Sequence, residues 1–321
     1  MRQRACFCTL FHKNETPWGK PVCWVSMRMR RTVAQTTAAL ALAVFLAASV
    51  CRAQKIEVTV TPAEVENGSP VLVHVEAEDG ASVEGEWLGR KIEFFPARRG
   101  NGWLALAGVD VKQEPGPSTL HITVRSAGET YHLSRAIQIH PAHYRASTLS
   151  VPPRFVSPGP AQLRRIETER KLKDAVFAVS ATRRLWSGAF HLPVNAQPTD
   201  SFGTRRIFNG QLASIHEGMD FHARMGTRVR ASNSGVVVLA RPLYYEGNCV
   251  VIDHGLGLFT LSMHLSRIYV REGQRVTTGQ RLGLSGATGR VTGPHLHWAV
   301  RWQGAYLDPA RLLRLPLDQI R

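Results

Sequence analysis

Apolar and polar residues alternate with a period of two in short segments along much of this chain. Examples in its first half are Ile56–Val60, Val71–Val75 and Leu120–Val124. Successive side chains of a β-strand point to opposite faces, so this alternation is typical of half-buried strands. Turn-like segments rich in Gly, Pro and Asn separate the alternating ones, as at 66–70 and 114–117. The pattern predicts an immunoglobulin-like β-sandwich over residues 55–150.

The second half of the chain is also rich in strands and turns. Candidate strands are 236–239, 249–252 and 296–300, and glycine recurs throughout this part of the sequence. Glycine adopts the positive φ values that tight turns require. We therefore predict a compact, antiparallel, all-β domain over residues 187–321, and a mainly β fold class for the whole chain.

A proline-rich stretch separates these two halves. Pro152-Pro153 and Pro158-Gly159-Pro160 mark the boundary, and residues 161–179 carry apolar side chains at roughly helical spacing. We predict a linker and a connecting helix over residues 151–186. A basic helix lying on a membrane surface is the alternative, but the acidic residues of this segment argue against it; they are Glu167, Glu169 and Asp174.

The charge and the cysteines limit the function classes. Lys and Arg number 40 against 24 Asp and Glu, which gives a formal net charge of +16. Such a balance suits a polyanion, whether nucleic acid, anionic lipid or an anionic cell wall, and does not choose among them. Cys249 is the only cysteine beyond Cys51, so a disulfide framework in the body of the protein is excluded.

The N-terminal region resembles an export signal. Arg28, Arg30 and Arg31 precede the apolar run Ala38–Val50, and Ala53 offers a small residue for cleavage. The run is shorter than the roughly 20 residues of a membrane-spanning helix. We predict a signal peptide over 27–53, with residues 1–26 as an over-called extension. The protein would then be exported, and either periplasmic or extracellular and associated with the cell wall. An uncleaved signal would leave a membrane tether.

Five polar residues in the second half could carry chemistry. His295 and His297 are two apart, so on a strand both would point to one face. His216 and Asp220 are four apart, and a turn that leads into a strand could bring both to one centre. Two histidines and one carboxylate form a common catalytic zinc site, although non-haem iron uses a similar set. His264, a third histidine, could act as a general base or stabilise an oxyanion.

These motifs, in this order, resemble the signature of the lysostaphin-type, or LytM-type, zinc endopeptidases. The matching motifs are His216-x-x-x-Asp220, His264-Leu265-Ser266 and Gly293-Pro294-His295-Leu296-His297. The segments between them agree as well, and the resemblance covers about residues 195–310. Residues 55–180 resemble, more loosely, the β-sandwich and helical segment often found ahead of this peptidase domain.

The resemblance implies a role for each matched residue. His216, Asp220 and His297 would bind one zinc ion, which lowers the pKa of a bound water from ~15.7 to about 7. His264 and His295 would be catalytic, one deprotonating that water and the other stabilising the oxyanion. The sequence does not say which histidine does which.

Two further positions follow from the same resemblance. Related enzymes use a tyrosine near the Gly-Asn turn to hold the oxyanion, and Tyr244 and Tyr245 both lie there; we favour Tyr245. Ser262 stands where many members have an aromatic residue, so it is expected to alter the wall of the cleft.

The implied function is hydrolysis of peptide bonds in bacterial peptidoglycan, which would be the partner of this protein. The alternative is a non-catalytic wall-binding module, or an activator of another wall hydrolase. Nucleic-acid binding rests on charge alone, and the export signal and the lack of a base-stacking motif argue against it. The bond that is cleaved, the role of the sandwich and the oligomeric state stay open at this point.

Overall fold

The computed structural model describes residues 56–78, 80–97, 102–208 and 210–317, with only the backbone described at 211–213. The chain divides into the units Met1–Gln54 and Lys55–Arg321. The predicted extension and signal peptide lie outside the described residues. Within those residues, no helix has both the length and the apolar character needed to cross a membrane.

Two sheets form the N-terminal part of the described chain. Their strands are β1 (Glu57–Thr61), β2 (Val65–Glu66), β3 (Pro70–Glu76), β4 (Ser82–Trp87), β5 (Arg90–Glu93), β6 (Phe95–Pro96), β7 (Trp103–Gly108), β8 (Gly116–Ser126) and β9 (Glu129–His140). One sheet has the order β1-β3-β7-β6 and the other β2-β9-β8-β4-β5. Every second side chain of β4 is buried, as alternation predicts. Val73 and Ile122, from different sheets, belong to one hydrophobic cluster.

The connecting segment contains a strand, a short 3-10 helix and one long α-helix. They are β10 (Ala146–Leu149), the 3-10 helix Pro153–Phe155 and α1 (Pro160–Ala178). Helix α1 begins at a proline, whose missing N–H costs nothing in the first turn. Its residues Leu172, Val176 and Phe177 pack on a buried cluster of the C-terminal sheet.

The C-terminal part is again almost entirely β. Its elements are β11 (Pro198–Asp200), β12 (Arg205–Phe208), β13 (Gln211–Ile215), β14 (Met219–Phe221), β15 (Arg228–Arg230), β16 (Gly235–Leu243), β17 (Gly247–Asp253), β18 (Leu258–Ile268), β19 (Arg275–Val276), β20 (Arg281–Ser285), β21 (Leu296–Trp302), β22 (Ala305–Leu307) and α2 (Pro309–Leu312). The main sheet runs β11-β14-β21-β18-β17-β16-β19, with β15, β20 and β22 paired alongside this path. The prediction of a mainly β fold is confirmed.

Strand β10 has its partner in the C-terminal part. It pairs in parallel with β12, and β12 pairs in antiparallel fashion with β13. In sequence β10 falls inside the predicted sandwich segment 55–150, but these pairings place it beside the residues that precede His216. The chain therefore contributes to the C-terminal part from before the connecting helix as well as after it.

The N-terminal sheets and the C-terminal sheet share buried contacts. Trp87 of β4 and Trp302 of β21 belong to the same hydrophobic cluster. Gly108, the last residue of β7, lies directly against Leu307. A Cβ atom built on this glycine would lie 2.5 Å from Leu307 Cδ2. Arg311 donates to the Ser69 hydroxyl at 2.7 Å. Buried apolar contacts with polar ones at their margin hold the two parts together.

Candidate active site

The register of three neighbouring strands gathers the candidate residues. In the pairing of β14 with β21, Asp220 lies opposite His297. In the pairing of β18 with β21, Met263 lies opposite His297, so His264 is one residue away from that position. His216 follows β13 and is joined to β14 by the turn Glu217-Gly218. Residues that are distant in sequence thus become neighbours through strand pairing.

The three predicted metal ligands form a small triangle of donor atoms. His216 Nε2 is 3.1 Å from Asp220 Oδ1 and 3.0 Å from His297 Nδ1, and His297 Nδ1 is 2.8 Å from Asp220 Oδ1. All three residues are buried. Ligands about 2.0–2.1 Å from a tetrahedral zinc ion would lie about 3.3 Å apart. The donor types and their spacing therefore fit a single zinc ion.

A backbone carbonyl sets the tautomer of His216. Its Nδ1 lies 2.9 Å from the carbonyl oxygen of Ser201. A carbonyl only accepts hydrogen bonds, so Nδ1 carries the proton and Nε2 keeps its lone pair. The lone pair thus faces the other two donors, which is the form of histidine that binds a metal.

Gly218 makes room for His297. A Cβ built on Gly218 would lie 2.5 Å from His297 Nε2 and 2.7 Å from the carbonyl oxygen of Trp298. Neither atom is the end of a flexible side chain, so a larger residue would force the imidazole or the strand to move. The glycine between the two predicted ligands His216 and Asp220 is therefore part of what positions the third.

The triangle has the charge pattern of a cation site. Burial alone would raise the pKa of Asp220, but the adjoining imidazoles of His216 and His297 hold it well below its ordinary value. Burial lowers the pKa of His297 to about 4. The site therefore presents an ionised carboxylate and a neutral His297 at neutral pH, which are the protonation states that metal binding requires.

Two charged residues behind the triangle were missed by the sequence analysis. Arg206 donates to Asp220 Oδ2 at 2.5 Å and, through the same Nη2, to Asp200 Oδ2 at 2.6 Å. Asp200 in turn lies 3.4 Å from His216 Nδ1. Arg206 thus occupies the carboxylate oxygen of Asp220 that does not face the histidines. Only its place within the family-like region 195–310 could have marked it in advance.

His264 lies beside the triangle with an unusual backbone. Its φ is +61°, and the pairing of β18 with its neighbours β17 and β20 shifts register around it. Such irregularities re-aim a side chain within a strand. Its Nδ1 donates to the carbonyl oxygen of Thr288 at 2.8 Å, which leaves the Nε2 lone pair free. Burial, with the neighbouring His295 and His297, lowers the pKa of His264 well below its ordinary value.

His295, like His264, is held by a hydrogen bond from Nδ1 to a backbone carbonyl. Its Nδ1 donates to the carbonyl oxygen of Gly293 at 2.8 Å, and its Nε2 lies 3.8 Å from Asp220 Oδ1. The centre of its ring is 4.9 Å from that of His264. All five residues singled out in the sequence are therefore brought together around one point.

The two candidate tyrosines have different surroundings. The hydroxyl of Tyr244 donates to the carbonyl oxygen of Arg154 at 2.8 Å, and the ring is buried against Phe155. Tyr245 lines the same cavity as His264 and His295, whereas Tyr244 does not. Only Tyr245 is thus placed where it could reach a substrate.

These groups line one cavity of about 640 Å³. Met263 forms part of its wall. Ser262 lies buried opposite Trp298 and is not among the lining residues. Glu217 also lines the cavity, but its carboxylate pairs with Lys112 at 2.5 Å. The cavity is large enough for a segment of peptide.

The chemical groups that line the cavity indicate the class of protein. A metal-dependent hydrolase needs donors for a cation and, beside it, uncharged groups that can accept a proton. The triangle provides the first, and the Nε2 atoms of His264 and His295 provide the second. This combination on a β-sheet is the one that a metal-dependent hydrolase requires.

Comparison with known proteins identifies the family. Residues 214–309 match Peptidase family M23. A Pseudomonas aeruginosa structure assigned to peptidase M23 is similar over 78% of this chain and 95% of that chain, with a TM-score of 0.62 and 27% identity. The chain therefore carries a family M23 peptidase domain, and the predicted family is confirmed. The structural similarity also extends beyond the matched residues.

Two curated relatives are similar to part of this chain. The peptidoglycan DD-endopeptidase ShyA of Vibrio cholerae is 54% identical over 89 residues, which are 28% of this chain and 21% of that protein. The DD-carboxypeptidase/endopeptidase Mpg of Neisseria meningitidis is 43% identical over 106 residues, 33% of this chain and 24% of that protein. This chain thus covers about a fifth to a quarter of the length of these relatives.

Proposed function

We propose that this protein is an exported zinc metalloendopeptidase that hydrolyses peptide bonds in bacterial peptidoglycan. The donor triangle of His216, Asp220 and His297, with two more imidazoles beside it, is the observation that carries this proposal. The names of the two curated relatives, a peptidoglycan DD-endopeptidase and a DD-carboxypeptidase/endopeptidase, support peptidoglycan as the substrate. The signal-like segment at 27–53 supports export.

The ligands would be His216 through Nε2, Asp220 through Oδ1 and His297 through Nδ1. When bound there, zinc acts as a Lewis acid that lowers the pKa of water and polarises a carbonyl group. Arg206 keeps the Asp220 carboxylate oriented, because it donates to the oxygen that does not face the histidines. The donor atoms of the three ligands already lie within 3.1 Å of one another, so only a small outward adjustment would be needed to hold the ion.

His264 and His295, which do not bind the ion, have different roles in proton transfer. Burial keeps His264 neutral, and its Nε2 can only accept, so it orients the attacking water. The His295 side chain is 18% exposed, and its Nδ1 donates to the carbonyl oxygen of Gly293, so its Nε2 is the nitrogen that a substrate in the cavity could reach. His295 therefore takes up the proton at Nε2 and then donates it to the leaving amine. The Tyr245 hydroxyl, in the same cavity, is a donor for the developing oxyanion.

The proposal is tested with purified protein and isolated sacculi, with the soluble products identified by mass. We expect release of peptide fragments that stops on addition of a chelator, returns with zinc, and is absent in His297→Ala. Protein that holds no zinc and hydrolyses sacculi unchanged after both treatments would contradict it. Activation of a second wall hydrolase by a His264→Ala/His295→Ala variant, without hydrolysis by the wild type, would establish the non-catalytic alternative instead.

A further inference from the structure

Arg290 lies on the loop that supports both catalytic histidines. The loop runs from Thr288, whose carbonyl accepts from His264, to Gly293, whose carbonyl accepts from His295. The backbone N–H of Arg290 donates to the carbonyl oxygen of Tyr245 at 2.8 Å. Arg290 also lines the cavity. Its side chain is thus anchored at the edge of the reaction site.

Two aromatic rings hold the guanidinium of Arg290. Its central carbon is 4.7 Å from the centre of the Phe208 ring and 4.6 Å from that of Tyr245. At such distances arginine commonly stacks its planar guanidinium on the face of an aromatic ring. Within the described ranges, no residue accepts a hydrogen bond from the side-chain N–H groups of Arg290, which lie around the edge of the plane. The side chain is therefore fixed in orientation while its hydrogen-bonding edge stays available.

The carboxylates that line the cavity already have cationic or histidine partners. Asp200 and Asp220 both accept from Arg206. Glu217 pairs with Lys112, and Glu246 with Lys173. Arg290, by contrast, has no carboxylate partner among the residues that the structure describes, and burial lowers its pKa. A partly buried cation without a counter-ion costs free energy, and an incoming anion would remove that cost.

We propose that Arg290 binds a carboxylate of the substrate, and so selects a stem peptide that carries a free carboxylate near the scissile bond. This inference rests on the proposed function. A fixed guanidinium edge matches a carboxylate through two parallel hydrogen bonds, a geometry that a carboxamide cannot reproduce. A neutral, glycine-rich bridge offers no such group close to the bond and would be a poor substrate.

The test uses zinc-loaded, full-length protein and two synthetic cross-linked stem-peptide fragments. In both, a ketomethylene group replaces the scissile amide, so that neither is hydrolysed; they differ in having free carboxylates or carboxamides. Binding is measured by calorimetry. We expect the wild type to bind the carboxylate form about 10- to 100-fold more tightly, because hydrogen bonds between charged groups are strong. Arg290→Gln should lower this ratio to below about threefold.

Two variants serve as controls. Arg281→Gln removes an arginine that stacks on Tyr269, at 4.1 Å, but does not line the cavity; it should keep the wild-type ratio. Arg290→Lys keeps the charge without the planar edge and should keep part of the preference. Equal binding of both forms by the wild type, binding of neither form, or an unchanged ratio in Arg290→Gln would overturn the inference.

The two proposals fail separately. If the wild type hydrolyses the parent amide peptide but binds both analogues equally, only the role of Arg290 is wrong. If it discriminates between the analogues through Arg290 but never hydrolyses the parent peptide, only the enzymatic proposal is wrong.

Discussion

At the scale of single residues, the site depends on groups that never touch the proposed ion. Arg206 bridges the carboxylates of Asp200 and Asp220, and Gly218 leaves space for His297. Partners behind metal ligands orient them and tune their basicity, so their loss typically weakens metal binding by 10- to 100-fold.

We therefore predict that Arg206→Gln lowers zinc affinity by about 10- to 100-fold while the protein stays folded. The Asp220 carboxylate would lose the donor that orients it. Competition with a chromophoric chelator measures the affinity, and circular dichroism checks the fold. Arg205→Gln, at the exposed neighbouring position of the same strand, should bind zinc as the wild type does. Equal affinities in both variants would show that Arg206 does not support the ligand.

At the scale of elements, strands β16, β17 and β18 are joined at one end by His254. This residue is fully buried; its Nδ1 donates to the carbonyl oxygen of Ser234, and its Nε2 accepts from the Thr260 hydroxyl, both at 2.8 Å. Burial lowers the pKa of His254 to about 4. The histidine is therefore neutral in the folded protein over a range of pH in which it would be protonated in the unfolded chain.

The sign of the pH effect follows directly. Below its unfolded pKa of about 6.5, the unfolded state binds a proton at His254 that the folded state does not, so stability falls as the pH drops from about 6.5 to about 4. The full loss in the free energy of unfolding over this pH range is about 3 kcal/mol. Chemical denaturation at pH 7 and pH 4.5, compared with His254→Gln, isolates this contribution. A variant that loses as much stability on acidification as the wild type would contradict the prediction.

At the scale of the whole molecule, the N-terminal sheets and the peptidase sheet behave as one folded unit. Buried apolar residues from both parts belong to a single cluster. Leu307 of β22 is fully buried and lies against Gly108 at the end of β7. Lys112 reaches Glu217, next to the proposed ligand His216. The N-terminal part is thus joined to the segment that carries the first ligand.

Leu307→Ala should lower the free energy of unfolding by about 2–5 kcal/mol, because it leaves a cavity between the two parts. Unfolding should remain a single transition for both parts. Calorimetry and tryptophan fluorescence measure this, since Trp87 and Trp302 report from the two sides. Leu192→Ala, at a residue that is half exposed, should change stability little. Two separate transitions in the wild type would show that the parts fold independently.

Local sequence patterns were sufficient to predict much of the secondary structure and the candidate site of this protein. Alternation predicted strands such as β3 and β8, and helical spacing placed the helix within a residue of Pro160–Ala178. The five histidine and aspartate positions could be identified because metal ligands are few in kind and this family keeps them in order. Each of these features is encoded by neighbouring residues or by a short motif.

Other features could be identified only from the tertiary structure, because they depend on pairing between segments that are distant in sequence. Nothing near Ala146–Leu149 in sequence shows that this strand pairs with β12 rather than with the N-terminal sheets. In sequence, Arg206 and Arg290 are two among many arginines. Folding places Arg206 behind Asp220 and Arg290 between two aromatic rings. An arginine takes its role from whatever surrounds it, and long-range strand register determines those surroundings.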